Sequence, residues 1–303
     1  MSPGYRALRE HAAWFSISDR ARLRLTGGDR IRLLHALATN DIDILGPGQA
    51  TETFFLSPQG RVLARCRVYV SADSVLLETD ESSRQPLLDY LDRYIIMDDV
   101  TVSDVTDSTE AVAIEGPQAK SALTAEMAVM GTVHDSSLTG AGGVWIELEL
   151  ESASRLLELL KVASVVEASP DDREAVRVEN GIPVHGVDYT NSNIPHEIQL
   201  LDIVSFEKGC YVGQEIVERV NSQGQVNKLL SPIELDTGEI PTDLEVHLGD
   251  RTVGQVTSPI VSPQTGKVRG FAILRRVAFA PESELTVGGQ TTHILPGRDI
   301  LTR

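Results

Sequence analysis

The pattern of predicted secondary structure changes once, near residue 228, and this change limits the folds that the chain can adopt. Up to about residue 163, the hydrophobic spacing predicts strand, helix, strands and helix twice, and the second round begins near residues 107–110. From Leu229 to Arg303, short strands alternate with Gly and Pro turns, and no helix is predicted. This order favours an α+β protein with two lobes in residues 1–228 and a small β-barrel domain in residues 229–303.

The limits of several elements follow from apolar spacing and turn residues. Thr51–Leu56 and Val62–Val70 are predicted to be the two strands of a hairpin, because a Pro-Gly turn separates them. In the second lobe, apolar spacing predicts one helix over Gln118–Met130, which Gly131 would end. A further helix is predicted from Pro170 to about residue 180, where Gly and Pro residues stop it.

Charge and composition argue against several classes of function. Asp and Glu number 44 against 27 Lys and Arg, so the net charge of −17 repels phosphate backbones, and we expect no direct nucleic-acid partner. No run of about 18 apolar residues occurs, so no membrane span is predicted. Cys66 and Cys210 are too few for a four-cysteine metal site within one chain, and we predict no bound metal. A cytoplasmic protein is the expectation.

The most unusual segment is Lys208-Gly209-Cys210-Tyr211-Val212-Gly213-Gln214-Glu215. A helix is predicted to begin at its Gly-Gln-Glu end, so Cys210 would precede a helix N-terminus and lie two residues from Lys208. Both effects favour the thiolate, which makes Cys210 a candidate reactive thiol and Lys208 a candidate activator. The alternative is a buried cysteine that packs as a small hydrophobic residue. Cys66, in its strand, is expected to be a core residue or an incidental surface thiol.

A second segment, Arg177-Val178-Glu179-Asn180-Gly181-Ile182-Pro183, lies at the end of a predicted helix. A carboxylate at a helix C-terminus interacts unfavourably with the helix dipole unless something binds it. Without a known ligand, the simpler expectation for Glu179 is a solvated side chain. His185 and His196 lie in the loop that follows, and their spacing matches no zinc pattern.

These segments together resemble a known family. Lys208–Glu215 matches the K-G-C-Y-x-G-Q-E signature of the YgfZ-type folate-binding proteins, which are relatives of the glycine-cleavage T-protein (aminomethyltransferase). Arg177–Pro183 resembles the R-x-E-x-G-x-P block, and Ser57–Arg61 resembles the turn of an earlier block. The resemblance spans residues of about 20 to 230. It implies the T-protein-like folate-binding fold, in which α+β lobes surround a central channel that a C-terminal β-barrel closes.

The resemblance also implies a cofactor and candidate ligands for it. In the aminomethyltransferases, the glutamate of the R-x-E-x-G block hydrogen-bonds the pterin ring of tetrahydrofolate, and Glu179 matches that position. Tetrahydrofolate or a derivative is therefore the expected cofactor, with Arg177, Glu179 and His185 as candidate folate-binding residues. True aminomethyltransferases also carry an Asp-Asp pair in the strand after the turn, where this chain has Ala64 and Arg65. Neither side chain can take over the role of the aspartate, so glycine cleavage is not expected.

Members of the YgfZ type are implicated in the assembly or maintenance of iron–sulfur enzymes, including those that thiolate tRNA. The resemblance therefore implies a tetrahydrofolate-binding accessory protein, with iron–sulfur assembly proteins or client [4Fe–4S] enzymes as partners and an indirect effect on tRNA modification. Cys210 could supply one ligand to a shared cluster or form a mixed disulfide during exchange. Two alternatives stay open: a folate-dependent one-carbon transferase or demethylase acting on a small amine, and a structural partner-binding protein with a vestigial pocket.

Overall fold

A computed structural model describes residues 1–296 of the chain. Among these residues, none of the helices combines the length and the apolar character that a membrane crossing requires. Short 3-10 turns lie at Glu81–Ser83, Leu150–Ser152, Leu201–Ile203 and Arg276–Phe279. The helices are α1 (Pro3–Glu10), α2 (Arg30–Leu37), α3 (Arg84–Tyr94), α4 (Ala119–Ala122), α5 (Ala125–Ala128), α6 (Ala153–Val162), α7 (Pro170–Glu179), α8 (Pro195–Ile198) and α9 (Gln214–Gln223).

The strands form two open sheets and a barrel. They are β1 (Ala13–Ser16), β2 (Arg20–Thr26), β3 (Ala50–Leu56), β4 (Val62–Val70), β5 (Ser74–Asp80), β6 (Thr101–Asp104), β7 (Thr109–Glu115), β8 (Thr132–Asp135), β9 (Gly143–Glu149), β10 (Val166–Glu167), β11 (Lys228–Leu235), β12 (Glu245–Leu248), β13 (Arg251–Val261), β14 (Val268–Arg275), β15 (Leu285–Val287) and β16 (Gln290–Ile294).

The first sheet has the order β3-β4-β5-β2-β6, and each neighbouring pair is antiparallel. Because side chains alternate between the two faces of a strand, β4 places Ala64, Cys66 and Val68 on one face and Arg65 and Arg67 on the other. The first face belongs to a hydrophobic core that also includes residues of α2 and α3. The second face is polar, and it faces the interior of the molecule.

The second sheet has the order β10-β1-β7-β9-β8, with only the β1–β10 pair parallel among the described strands. The N-terminal strand β1 belongs to this sheet, so the second lobe is built from two separate stretches of sequence. The single helix expected over residues 118–130 is wrong, because Leu123 has an extended backbone (ψ 101°) between α4 and α5. The Thr124 hydroxyl accepts a hydrogen bond from the Met127 backbone N–H (3.3 Å) and so begins α5 anew.

The C-terminal strands close into a barrel in the order β11-β14-β13-β12-β15-β16, and β16 pairs back onto β11. Its interior is a separate apolar cluster that includes Ile233, Val246, Val256 and Val268. The predicted α+β class with a C-terminal β-barrel is therefore confirmed. Residues 297–303 of the predicted barrel domain lie outside the described residues, and the domain limits at 107–110 and 228 stay predictions.

Candidate functional site

The polar face of the first sheet carries alternating arginine and carboxylate side chains. Glu52 on β3 accepts hydrogen bonds from Arg65 Nε and Arg67 Nε, both at 2.9 Å, and Arg67 Nη1 also donates to Glu78 on β5 at 3.2 Å. Burial alone would raise the pKa of Glu52, but the two guanidinium charges outweigh it and hold the pKa at about 2. The carboxylate is therefore ionised and fully engaged at neutral pH.

The array continues across β5 to β2. Arg20 forms ion pairs with both Glu78 and Asp80, whose side chains lie on the same face of the sheet two residues apart. We name this cluster the ion-pair array. It consists of the arginines Arg20, Arg65 and Arg67 and the carboxylates Glu52, Glu78 and Asp80. No single sequence motif indicated it, but the period-2 placement of charges on β2, β4 and β5 could have, since it puts them all on one face.

Two cavities lie against the ion-pair array, between the first sheet and the second lobe. One of about 30 Å³ is lined by Arg20, Arg65, Arg67 and Asp80 and by Leu138 of the second lobe. It shares Arg20, Asp80 and Leu138 with a cavity of about 220 Å³, which we name the central cavity and which extends to Arg173 and Arg177. Another cavity, of about 230 Å³, lies between α7 and the barrel and includes Glu179.

Arg177 is buried, and it joins α7 to the barrel. Its guanidinium donates to Asp188 (2.9 Å), to the Ile182 carbonyl (2.6 Å), to the Ser258 hydroxyl (2.7 Å) and twice to Glu174. These contacts use all five N–H donors that a guanidinium possesses. Arg177 lines the central cavity, but its hydrogen-bonding capacity is directed into the protein.

Glu179 is also fully engaged. One carboxylate oxygen accepts from the Tyr5 hydroxyl (2.7 Å) and from Arg9 of α1, and the other accepts from the Ser262 hydroxyl (2.5 Å) and the Gln264 backbone N–H (3.3 Å). Its side chain has no solvent exposure. Burial alone would raise the pKa of Glu179, but these hydrogen bonds and the Arg9 charge outweigh it and hold the pKa below its usual range. The side chain is thus neither solvated nor open to a ligand in this structure; it joins α1 to the barrel.

His185, the remaining candidate folate ligand, is buried beside the 3-10 turn at Glu81–Ser83. Its Nδ1 lies 2.9 Å from the Ser83 hydroxyl, and its Nε2 is buried without a partner among the described residues. Burial lowers the pKa of His185, and the negative charge of Asp80 opposes that shift. The ring is held neutral near pH 7, and Nε2 remains available as a hydrogen-bonding atom.

The Lys208–Glu215 segment makes no hydrogen bond to the side chains of the ion-pair array among the described residues. Lys208 Nζ donates to the carbonyl oxygens of His35 (2.5 Å), Ala38 (2.7 Å) and Asn40 (3.1 Å) at the C-terminal end of α2. Burial lowers the pKa of Lys208 to about 8. Because these acceptors take all three ammonium N–H groups, Lys208 anchors the segment to α2 and has no donor left for Cys210.

Cys210 itself is exposed, four residues before the start of α9. Gly213, which has a left-handed backbone (φ +86°), packs directly on the β3–β4 turn; a Cβ there would lie 2.6 Å from the Ser57 carbonyl oxygen. The two sequence blocks that contain Gly213 and Ser57 are therefore in contact. Cys66, in contrast, is buried in the first core, and burial raises the pKa of its thiol.

Ala64 and Arg65 are placed differently. Ala64 is buried in the first core, whereas Arg65 points to the centre and pairs with Glu52. Within residues 1–296, no cluster of three or more His, Cys, Asp or Glu side chains is arranged to hold a metal ion. The structure thus brings Arg177, Arg20 and Asp80 together around the central cavity, whereas Lys208, which is buried against α2, and the exposed Cys210 line none of the three cavities described.

The chain is similar to known proteins along nearly its whole length. Residues 3–137 match the model of the GCVT N-terminal domain. An aminomethyltransferase of Halalkalibacterium halodurans is 26% identical over 305 residues, which cover 93% of this chain and 82% of that protein. Glycine cleavage system aminomethyltransferase T from Bartonella henselae superposes with a TM-score of 0.85 at 20% identity, over 95% of this chain and 86% of that one. The fold is therefore of the T-protein type, and the matches support the T-protein-like superfamily.

Proposed function

We propose that this protein binds a reduced folate in the central cavity and does not catalyse aminomethyl transfer. The observation that supports the lack of aminomethyl transfer is the Arg65–Glu52 ion pair, because Arg65 stands where the resemblance places the second aspartate of the Asp-Asp pair. The similarity to proteins named aminomethyltransferase, together with the T-protein type of fold, supports the binding of a reduced folate.

The chemistry at this position is the opposite of what methylene transfer requires. A carboxylate can accept a proton or stabilise a developing positive charge, and a guanidinium can do neither. The neighbouring carboxylate, Glu52, accepts hydrogen bonds from two arginines, and a group with a pKa of about 2 is a weak base near pH 7. Neither side chain is suited to general acid–base catalysis at this position.

The test combines binding and turnover. Calorimetric titration of tetrahydrofolate into the purified protein should give saturable binding, and incubation with tetrahydrofolate and glycine or sarcosine as the donor should give no methylene transfer. Arg65→Asp, the variant that restores the acidic residue, and Arg65→Lys, which keeps the positive charge, form a matched pair for both assays. Turnover by the wild-type protein would instead favour the alternative, a folate-dependent one-carbon transferase or demethylase.

The finer proposal is that the protein is of the YgfZ type and supports iron–sulfur enzymes, with an indirect effect on tRNA modification. Its support is the exposure of Cys210 on a segment that Lys208 and Gly213 hold in place. An exposed cysteine can provide one ligand to a cluster that a client enzyme completes. This role needs no catalytic aspartate.

Cells whose only copy carries Cys210→Ala are the test of the finer proposal. We expect lower activity of [4Fe–4S] enzymes at unchanged amounts of the variant protein, whereas Glu207→Gln, a change at the exposed residue just before the signature, should have no effect. Equal enzyme activity in the Cys210→Ala and wild-type cells would contradict the iron–sulfur role and leave folate binding unaffected.

A further inference from the structure

We propose that Asp80 is the carboxylate that receives the N–H donors of a ligand in the central cavity, and that this ligand presents a 2-aminopyrimidinone edge. The inference deepens the proposed function and rests on it, because a reduced folate carries that edge on its pterin ring. It also departs from the expectation for Glu179, since the two carboxylates differ in their capacity to bind a ligand.

That capacity depends on the free acceptor positions of each carboxylate, which has about four lone-pair positions. Glu179 uses all of them on Tyr5, Arg9, Ser262 and Gln264. Asp80 accepts only from Arg20, through Oδ1, and no other donor within residues 1–296 contacts either oxygen. A ligand can therefore bind Asp80 without displacing a protein contact, and binding to Glu179 would first require α1 or the barrel to move.

Burial separates Asp80 from the other carboxylates around the central cavity. The side chains of Asp19, Glu81 and Glu174 are 68%, 54% and 40% exposed, whereas that of Asp80 is 11% exposed. A hydrogen bond to a charged group is strongest where water does not compete for it. Asp80 is also the carboxylate shared by the central cavity and the smaller cavity beneath Arg65 and Arg67.

The acceptor geometry favours a ligand with two adjacent N–H groups. Arg20 fixes one oxygen and compensates the charge, so both oxygens can still accept one bond each from a planar donor pair. An exocyclic amine next to a ring N–H is such a pair. The central cavity, at about 220 Å³, is smaller than the roughly 300–1,000 Å³ of sites for drug-sized ligands, so it suits a ring headgroup whose remainder extends outside.

Two further polar atoms accompany Asp80. His185 Nε2 is buried without a partner among the described residues, and Tyr189 Oη is buried beside Arg65. Burial lowers the pKa of His185 and raises that of Tyr189; the Arg65 charge opposes the shift of Tyr189, and the Asp80 charge raises the pKa of both groups. Buried polar atoms in native proteins are usually satisfied. Neither atom lines the central cavity or the smaller one, so both belong to the buried surroundings of Asp80, and the assignment rests on the burial and free acceptor positions of Asp80 itself.

The test is calorimetric titration of tetrahydrofolate, under anaerobic conditions, into wild-type protein, Asp80→Asn, Glu179→Gln and Asp107→Asn. Asp80→Asn should weaken binding about 10- to 100-fold, the loss expected for hydrogen bonds to a charged group. Glu179→Gln and the exposed-surface control Asp107→Asn should bind within about threefold of wild type. Unchanged affinity in Asp80→Asn, with wild-type binding intact, overturns the assignment of Asp80 but leaves the proposed function standing.

Ligand variants make the test independent of whether Asp80→Asn folds. A folate analogue that lacks the exocyclic amine should bind the wild-type protein at least tenfold more weakly than its parent; equal affinity overturns the inference. Guanosine carries the same edge from a different source, and we expect weaker binding than for tetrahydrofolate. If the wild-type protein binds guanosine but not tetrahydrofolate, and Asp80→Asn no longer binds guanosine, the proposed folate function is wrong and the assignment of Asp80 as the ligand-binding carboxylate holds. If the wild-type protein binds neither tetrahydrofolate nor guanosine, both the folate function and the Asp80 site are contradicted.

Discussion

The stability of the protein should depend on the ionisation of Glu52, and the Glu52→Gln variant isolates this dependence. The two arginines lower the pKa of Glu52 from 4.5 to about 2. Each pKa unit corresponds to about 1.4 kcal/mol, so the ionised carboxylate contributes about 3 kcal/mol to the free energy of unfolding at pH 7. Because the pKa is lowered on folding, this contribution is complete above about pH 4.5 and is lost as the pH falls towards 2.

The two pKa values give the size of the effect at an accessible pH. At pH 3.5, one unit below the unfolded-state pKa, about 1.4 kcal/mol of this contribution should be lost, so the difference in unfolding free energy between wild type and Glu52→Gln should shrink by that amount between pH 7 and pH 3.5. Urea denaturation, followed by the fluorescence of the buried Trp14 and Trp145, measures that difference at each pH.

A matched control is Glu81→Gln, since Glu81 is half exposed and forms a surface ion pair with Arg84. Surface pairs contribute about 0–1 kcal/mol, so this variant should be close to wild type at both pH values. If the difference between wild type and Glu52→Gln stays constant or grows on acidification, the ion pairs of Glu52 with Arg65 and Arg67 do not stabilise the fold in the way that the lowered pKa requires.

Three further outcomes follow from the contacts. Gly213→Ala should destabilise the protein by more than about 2 kcal/mol, because its Cβ would meet the β3–β4 turn, whereas Gly224→Ala, at a similar left-handed position with open space around it, should cost about 1 kcal/mol in urea denaturation. Arg177→Met should cost about 3–5 kcal/mol by the same measurement, since it leaves a buried carboxylate partner unpaired; a loss under about 1 kcal/mol would contradict that role. An aromatic disulfide reagent should titrate Cys210 alone in the native protein and Cys66 only after unfolding.

Local patterns in the sequence predicted much of the fold. The hairpin of β3 and β4 and the helix that begins at Pro170 lie where turn and capping residues indicated. The break between α4 and α5 was missed because neither Leu123 nor Thr124 is a strong helix breaker. Only the capping hydrogen bond of Thr124, which spacing does not show, separates the two helices. Spacing along the chain also could not show that β1 pairs in the second sheet, because strand partners are chosen by long-range packing.

The candidate site was less accessible to sequence reasoning, for a related reason. The R-x-E-x-G block marked Arg177 and Glu179 by their type and order, but a motif does not record what a side chain contacts. Only the fold shows that α1 and the barrel occupy every acceptor position of Glu179. Asp80 belongs to no sequence motif. What distinguishes it is that, among the described residues, only Arg20 donates to its carboxylate, so acceptor positions remain free.

The two conspicuous sequence blocks are linked through the β3–β4 hairpin. Its strands carry Glu52 and Arg65 of the ion-pair array, and its turn packs against Gly213 of the segment that contains Cys210. A Cβ on Gly213 would lie 2.6 Å from the Ser57 carbonyl oxygen of the turn, and a Cβ on Gly60 of the turn would lie 2.8 Å from Ile216 of α9, so the turn and the start of α9 are closely packed. A folate site without a catalytic aspartate and an exposed thiol can share one scaffold, and variants at Asp80 and Cys210 should separate their effects.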